Sequence, residues 1–140
     1  TVVGRVGPWP GAVNQRGAAF AASFERYLDR WPDLQGFTAY DSLWLLEDAI
    51  KRAGSLDPEE LIAALEATDL TLAAGHYSFP HNGHVAAGPG TPPWTWHQWM
   101  DAPLLFLQYT APLQGSSDMA VLWPPAYSTV EGAVVRPPAQ

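Results

Sequence analysis

The 140-residue chain contains no cysteine. That absence excludes thiol nucleophiles, disulfides and cysteine-ligated zinc, but it leaves the compartment open, because many exported bacterial proteins fold without a disulfide. Basic charge is scarce: seven Lys and Arg stand against fourteen Asp and Glu, for a net charge of −7. Such a surface repels a phosphate backbone, so nucleic acid is not an expected partner, and seven Trp without a positive groove do not make a base-stacking platform. Long apolar runs are missing too. The most apolar stretch, Pro103 to Leu107, falls far short of the ~18 residues a membrane span requires, so no membrane insertion is expected. With 47% hydrophobic against 15% charged residues, the chain still has enough core-forming side chains to fold.

The charge that is present is unevenly placed. Residues 1–69 carry eleven acidic and six basic side chains, whereas residues 70–100 carry neither and hold all four histidines. The first part reads as helices with one wet face, the second as strands and turns. Val2, Val3 and Val6 suggest a short strand, ended by the loop Gly7-Pro8-Trp9-Pro10-Gly11. Phe20, Phe24, Tyr27, Leu28 and Trp31 recur at helical spacing and predict a helix from about Asn14 to Trp31, stopped by Pro32. A second helix is predicted from about Thr38 to Ala53, with Ala39, Leu43, Leu46 and Ile50 as its apolar stripe and Gly54 as its C-terminal cap. Asp57-Pro58-Glu59-Glu60 combines an acidic N-cap, a first-position proline and a capping-box carboxylate, and the helix it opens should end near Ala67.

Beyond the charge boundary near Asp69, Tyr77 and Phe79 alternate with His76 and Ser78. Pro80-His81-Asn82-Gly83 predicts a turn, with Val85 beginning the return strand. Trp94 to Trp99 reads as an aromatic strand and Leu104 to Tyr109 as another. From Pro112 onward, five prolines predict an extended tail with at most a short strand near Val121-Leu122. Three closely joined helices followed by strands fit a layered α/β fold.

Catalytic equipment is thin. His81 and His84, with His76 and His97 approaching across a hairpin, are the candidate metal ligands, although His81 and His84 flank a turn, where three-residue spacing guarantees no shared face. The carboxylate pairs Glu47-Asp48 and Glu59-Glu60 are adjacent on helices and do not converge on one substrate. The serines sit in no activating motif, and Gly4, Gly7 and Gly11 lead into no phosphate-binding fingerprint. Thr1 reads as a processing boundary, with an amino-terminal nucleophile as the alternative. Aromatic residues are the stronger functional candidates, since ring faces and a few aimed hydrogen bonds hold small ligands that carry an ammonium or amide. Trp9, in a loop after a strand, is placed either to enter a cleft or to pack. Tyr40 and Asp41 open the second helix, where Asp41 either caps it or meets a cation.

The run Gly36-Phe37-Thr38-Ala39-Tyr40-Asp41-Ser42-Leu43, continuing from Leu45 to Gly54, resembles the branched-chain amino acid type of ABC-transporter solute-binding protein. The likeness extends through Leu56 to Leu65 and Gly75 to His84, and upstream through Gly4 to Asn14 with Phe20, Phe24 and Tyr27. It covers roughly residues 1–100; residues 101–140 match poorly. The resemblance implies the C-terminal part of a two-lobed type I periplasmic-binding-protein fold, with helices from the N-terminal lobe and strands from the C-terminal lobe. Residues 1–13 would be an interlobe crossing, 14–73 helices of the N-terminal lobe, 74–111 strands of the C-terminal lobe, and 112–140 a proline-rich extension. It further implies non-enzymatic capture of an amino acid, amide or aromatic compound for ABC-type import, with no cofactor. By position, Trp9, Phe37, Tyr40 and Asp41 would carry the ligand. The implied partners are the small-molecule ligand, an ABC permease and the remaining N-terminal portion of the binding protein, in the same or a separate chain. The implied location is periplasmic or extracellular, with a lipid anchor on that N-terminal portion in a Gram-positive cell. Pro80-His81 stands where the family commonly has an acidic residue. The alternatives from the residues alone are a metal-dependent or N-terminal-threonine enzyme subunit and a structural interaction subunit.

Overall fold

The computed structural model describes residues 2–6, 14–80 and 90–131. Strand β1 (Val2–Val6) is followed by helices α1 (Gln15–Leu28), α2 (Leu34–Ala53) and α3 (Pro58–Glu66). Strands β2 (Asp69–Thr71), β3 (His76–Ser78), β4 (Leu104–Gln108) and β5 (Ala120–Trp123) complete a mixed α/β chain. The expected class is therefore the observed one.

Side-chain caps set the start of each of the three helices. Asn14 Oδ1 accepts from the Gly17 amide at 2.7 Å to start α1. That helix ends earlier than expected, because Asp29 adopts a left-handed conformation (φ 49°) and its amide closes on the Glu25 carbonyl, three residues before Pro32. Helix α2 starts at Leu34 rather than near Thr38, because Asp33 accepts from the Gly36 amide at 2.8 Å. Asp41 therefore lies two turns inside the helix and does not cap it. Gly54 ends α2 with φ 64°, as predicted. Asp57 caps α3 through the amides of Glu59 and Glu60, but its own amide donates to Ser55 Oγ, so the expected reciprocal bond from Glu60 is replaced.

The facing of α2 differs from the sequence pattern. Phe37, Asp41 and Ala49 are buried, while Leu43 is 71% and Leu46 44% exposed. The helix is rotated because Phe37 locks into a cluster with Ala21 and Ala73, edged by Phe20, Trp31 and Tyr40. Arg52 ties α2 to α3, pairing with Asp48 at 2.7 Å and donating to the Ala64 carbonyl at 2.6 Å near the end of α3.

Strands β2 and β3 pair antiparallel, Asp69 opposite Ser78 and Thr71 opposite His76, across the turn Leu72–Gly75. This partner for His76–Ser78 lies upstream of it; the expected turn at Pro80–Gly83 and the return at Val85 fall largely in residues 81–89, outside the described residues. The predicted strand at Trp94–Trp99 is instead a 3-10 helix at Pro93–Thr95 followed by a hydrogen-bonded turn at Trp96-His97. Pro92 and Pro93 fix the entry, Thr95 Oγ1 donates back to the Pro92 carbonyl at 2.7 Å, and His97 has φ 56°, which no strand tolerates.

The second sheet has the order β1-β4-β5, all antiparallel, with Val2 opposite Gln108 and Val6 opposite Leu104. Leu105 and Leu107 point to one side and form a cluster with Met119, Val121 and Tyr127. The short strand expected near Val121-Leu122 is thus present, and residues 124–130 after it are tied in rather than loose; the rest of the expected tail, 132–140, lies outside the described residues. Thr129 closes on Val121 with two bonds, amide to carbonyl at 3.0 Å and Oγ1 from the Val121 amide at 2.9 Å.

Candidate functional site

The candidate site grows from the junction between α2 and the turn Leu72–Gly75. That turn exposes the amides of Ala73 and Ala74 toward α2, where Asp41 is 1% exposed. Its carboxylate accepts from Ala73 N at 2.9 Å, Ala74 N at 2.6 Å and the Tyr77 hydroxyl at 3.0 Å. Three donors satisfy a charge that burial would otherwise make costly. Burial nevertheless holds the Asp41 carboxyl above its ordinary range, against the opposing pull of those donors and of Arg16. The Tyr77 hydroxyl is pushed up in turn by burial and by the Asp41 charge, so it remains a donor.

The turn is held from its other side as well. Trp99 stacks on Tyr77 with centroids 4.0 Å apart, and its Nε1 donates to the His76 carbonyl at 2.7 Å. Gly75, at φ 146°, lies against Trp99 and Pro103, where a Cβ would stand 3.2 Å from the indole.

Beside this junction runs a row of aromatic side chains. Tyr40 is half-buried, stacked on Phe20 at 4.4 Å and edge-on to Trp44 at 6.0 Å. The Arg16 guanidinium lies over the Trp44 ring at 4.8 Å. Beyond them opens a groove of about 180 Å³, lined by Arg16, Trp44, Glu47, Asp48, Lys51 and Leu72 among others. A groove with an aromatic wall and charges of both signs can hold a small zwitterion by its rings and its termini.

Of the residues singled out from sequence, Phe37 and Asp41 face inward, Tyr40 sits in the aromatic row, and Trp9 lies outside the described residues, as does Thr1. His81 and His84 also lie outside them. His76 engages Asp69 and Thr71, each at 3.3 Å, and His97 engages Glu66 at 2.7 Å. Among the described residues no three His, Asp or Glu side chains gather as a metal site. Arg16, Tyr77 and Trp99 were not legible as site residues, because each meets its partners through contacts far apart in sequence. The only local signal was the Asn14 cap that fixes the start of α1 beside Arg16.

A groove with an aromatic wall, set where α1 and α2 meet the β2–β3 hairpin, suits a protein that holds a small molecule. The family model described as periplasmic binding protein matches residues 2–92, and the chain belongs to that family. No curated protein and no solved structure matches the chain. Membership gives it a solute-binding role with a small-molecule ligand and a periplasmic or extracellular setting. No helix among the described residues is long and apolar enough to cross a membrane.

Proposed function

We propose that the chain is the C-terminal part of a type I solute-binding protein of the branched-chain amino acid type, which captures an amino acid, amide or aromatic compound for ABC-type import without chemical turnover. The observation that carries this reading is the family match running from β1 through all three helices and the β2–β3 hairpin. Tyr40 and Trp9 are the ligand-contacting pair in this proposal, and Phe37 and Asp41 serve it by fixing α2, and with it Tyr40, against the turn. The exposed stripe of Leu43 and Leu46 is the contact for the remaining N-terminal portion of the binding protein, since a helix with an apolar face on each side is suited to the interior of a larger layer. Loaded and closed, that assembly would be what an ABC permease distinguishes from the empty form.

Calorimetry of the assembly against amino acids and amides, with parallel zinc and copper titrations, tests the proposal. Saturable binding of an organic solute without turnover is expected, weakened about five- to thirtyfold by Trp9→Ala or Tyr40→Ala, because an aromatic contact to a cation contributes on the order of 1–2 kcal/mol when desolvated. Stoichiometric metal dependence or product formation would sink it. Leu43→Lys with Leu46→Lys should leave this chain folded and abolish its association with the N-terminal portion. Unchanged association would remove the stripe from the interface.

A further inference from the structure

Four charged side chains line the groove beside Trp44: Arg16, Glu47, Asp48 and Lys51. Three of them already have a partner of opposite sign. Lys51 meets Glu47 at 2.8 Å, one turn away on α2, and Asp48 meets Arg52 at 2.7 Å. Arg16 is the exception. Its guanidinium lies over the Trp44 ring at 4.8 Å, yet among the described residues its N–H groups meet no oxygen acceptor. Asp41 feels the Arg16 charge but accepts from Ala73, Ala74 and Tyr77 instead. The position of Arg16 is fixed by its neighbour Asn14, which caps α1 and donates from Nδ2 to the Leu72 carbonyl at 2.8 Å. That bond ties the start of α1 to the apolar wall of the groove, where Leu70 is half-buried and Leu72 fully buried.

We infer that Arg16 anchors the carboxylate of a small organic solute whose hydrocarbon part lies against Trp44, Leu70 and Leu72. This assignment rests on the solute-binding reading and adds to it the group that the solute must carry. A guanidinium offers paired N–H groups that match both oxygens of a carboxylate. The ring face of Trp44 holds that fork in place without supplying it an acceptor. Both carboxylates of the groove are already paired, so the acid group of the solute, and not an amine, decides binding. A groove of about 180 Å³ has room for one such acid with a short branched chain or a single ring, since ~150 Å³ accepts benzene. The net charge of −7 opposes an anion at long range. Salt screens that repulsion beyond ~8 Å, whereas the contact with Arg16 is direct.

The test uses the full chain with three probes of one skeleton: leucine, 4-methylpentanoate and 3-methylbutylamine. Calorimetry gives the affinities, and amide shifts of residues 44–51 and 70–72 locate the binding. Leucine and 4-methylpentanoate should saturate with shifts at those residues, and the amine should bind about tenfold more weakly or less. Arg16→Gln should weaken both carboxylates about tenfold or more. Arg16→Lys, which keeps the charge but not the fork, and Trp44→Leu, at an exposed position, should each weaken them about threefold or more. Circular dichroism checks that each variant is folded, and if Arg16→Gln is not, the other two decide. Equal binding of amine and acid, unchanged affinity in the folded variants, or no saturation by 4-methylpentanoate would overturn the inference. Those outcomes leave the solute-binding proposal standing, because it is decided by capture at Trp9 and Tyr40 in the assembly. Absence of any saturable solute there sinks that proposal even where Arg16 holds carboxylates.

Discussion

Replacing Asp41 by Ala removes the one acceptor shared by two buried amides and a buried phenol. A hydrogen bond to a charged group contributes ~1.5–3 kcal/mol, so three of them would sum to ~4.5–9 kcal/mol if they were independent. They are not, because removing the carboxylate also relieves the cost of burying its charge; what remains is the cost of leaving two buried amides and a phenol without an acceptor, ~1–3 kcal/mol each, so a net loss of ~3–5 kcal/mol is expected. Native domains are stable by only ~5–15 kcal/mol, so the variant should be marginal. Urea unfolding at pH 7, extrapolated linearly for wild type, Asp41→Ala and Asp41→Asn, measures the loss. Asp41→Asn should lose less, since its carbonyl oxygen still serves one or two of the donors. Hydrogen exchange should localise the effect, with the Ala73 and Ala74 amides losing protection before those of α1. A loss below ~1 kcal/mol, which is ordinary for a surface substitution, with unchanged exchange at Ala73 and Ala74, would refute the reasoning.

The same residue gives a pH dependence. A native Asp41 held by burial above its ordinary value of 3.8 binds its proton more tightly than the unfolded chain does. Its stabilising contribution is then full below about pH 3.8 and declines as pH rises through the native value. The stability advantage of wild type over Asp41→Asn should shrink between pH 3 and pH 7, and a constant or widening gap contradicts the sign. Two glycines separate conformation from contact. Gly54→Ala, at φ 64° with open space around it, should cost ~1 kcal/mol from the left-handed backbone alone. Gly75→Ala, at φ 146° and facing Trp99 and Pro103, should cost ~2–3 kcal/mol, and melting curves showing equal losses would remove the contact from the account.

Local chemistry was the part of the fold most open to sequence reading. Asp57-Pro58 and Gly54 act within one turn of their own positions, so the residues alone announce the end of α2 and the start of α3. The facing of α2 was not readable in this way. Counting apolar residues puts Leu43 and Leu46 inside and leaves Asp41 as a cap or a cation partner, yet Asp41 is buried because the amides that need it arrive from 32 and 33 positions away. The tryptophans between Pro93 and Trp99 misled for a related reason. Aromatic density suggests a strand, but Trp99 is committed to Tyr77 and the two prolines preceding Trp94 forbid ladder pairing. At the site, Tyr40 could be picked by its place near the start of α2, while the guanidinium over Trp44 and the pairing of Glu66 with His97 left no trace in local spacing.

The pairing of β1 with β4 joins Val2 to Gln108, so the second residue of the chain is stitched to one more than a hundred positions later. Everything between them, including all three helices and the hairpin, is an excursion from a single sheet. Loop-closure entropy rises only with the logarithm of such a length, but contacts this distant in sequence form slowly. The helices, whose bonds are local, are therefore free to assemble first, and the β1-β4-β5 sheet closes around a finished insert. A single backbone cut in a connecting segment would accordingly leave both pieces held by the sheet and by the helical layer, running as one species on a sizing column and as two only in denaturant.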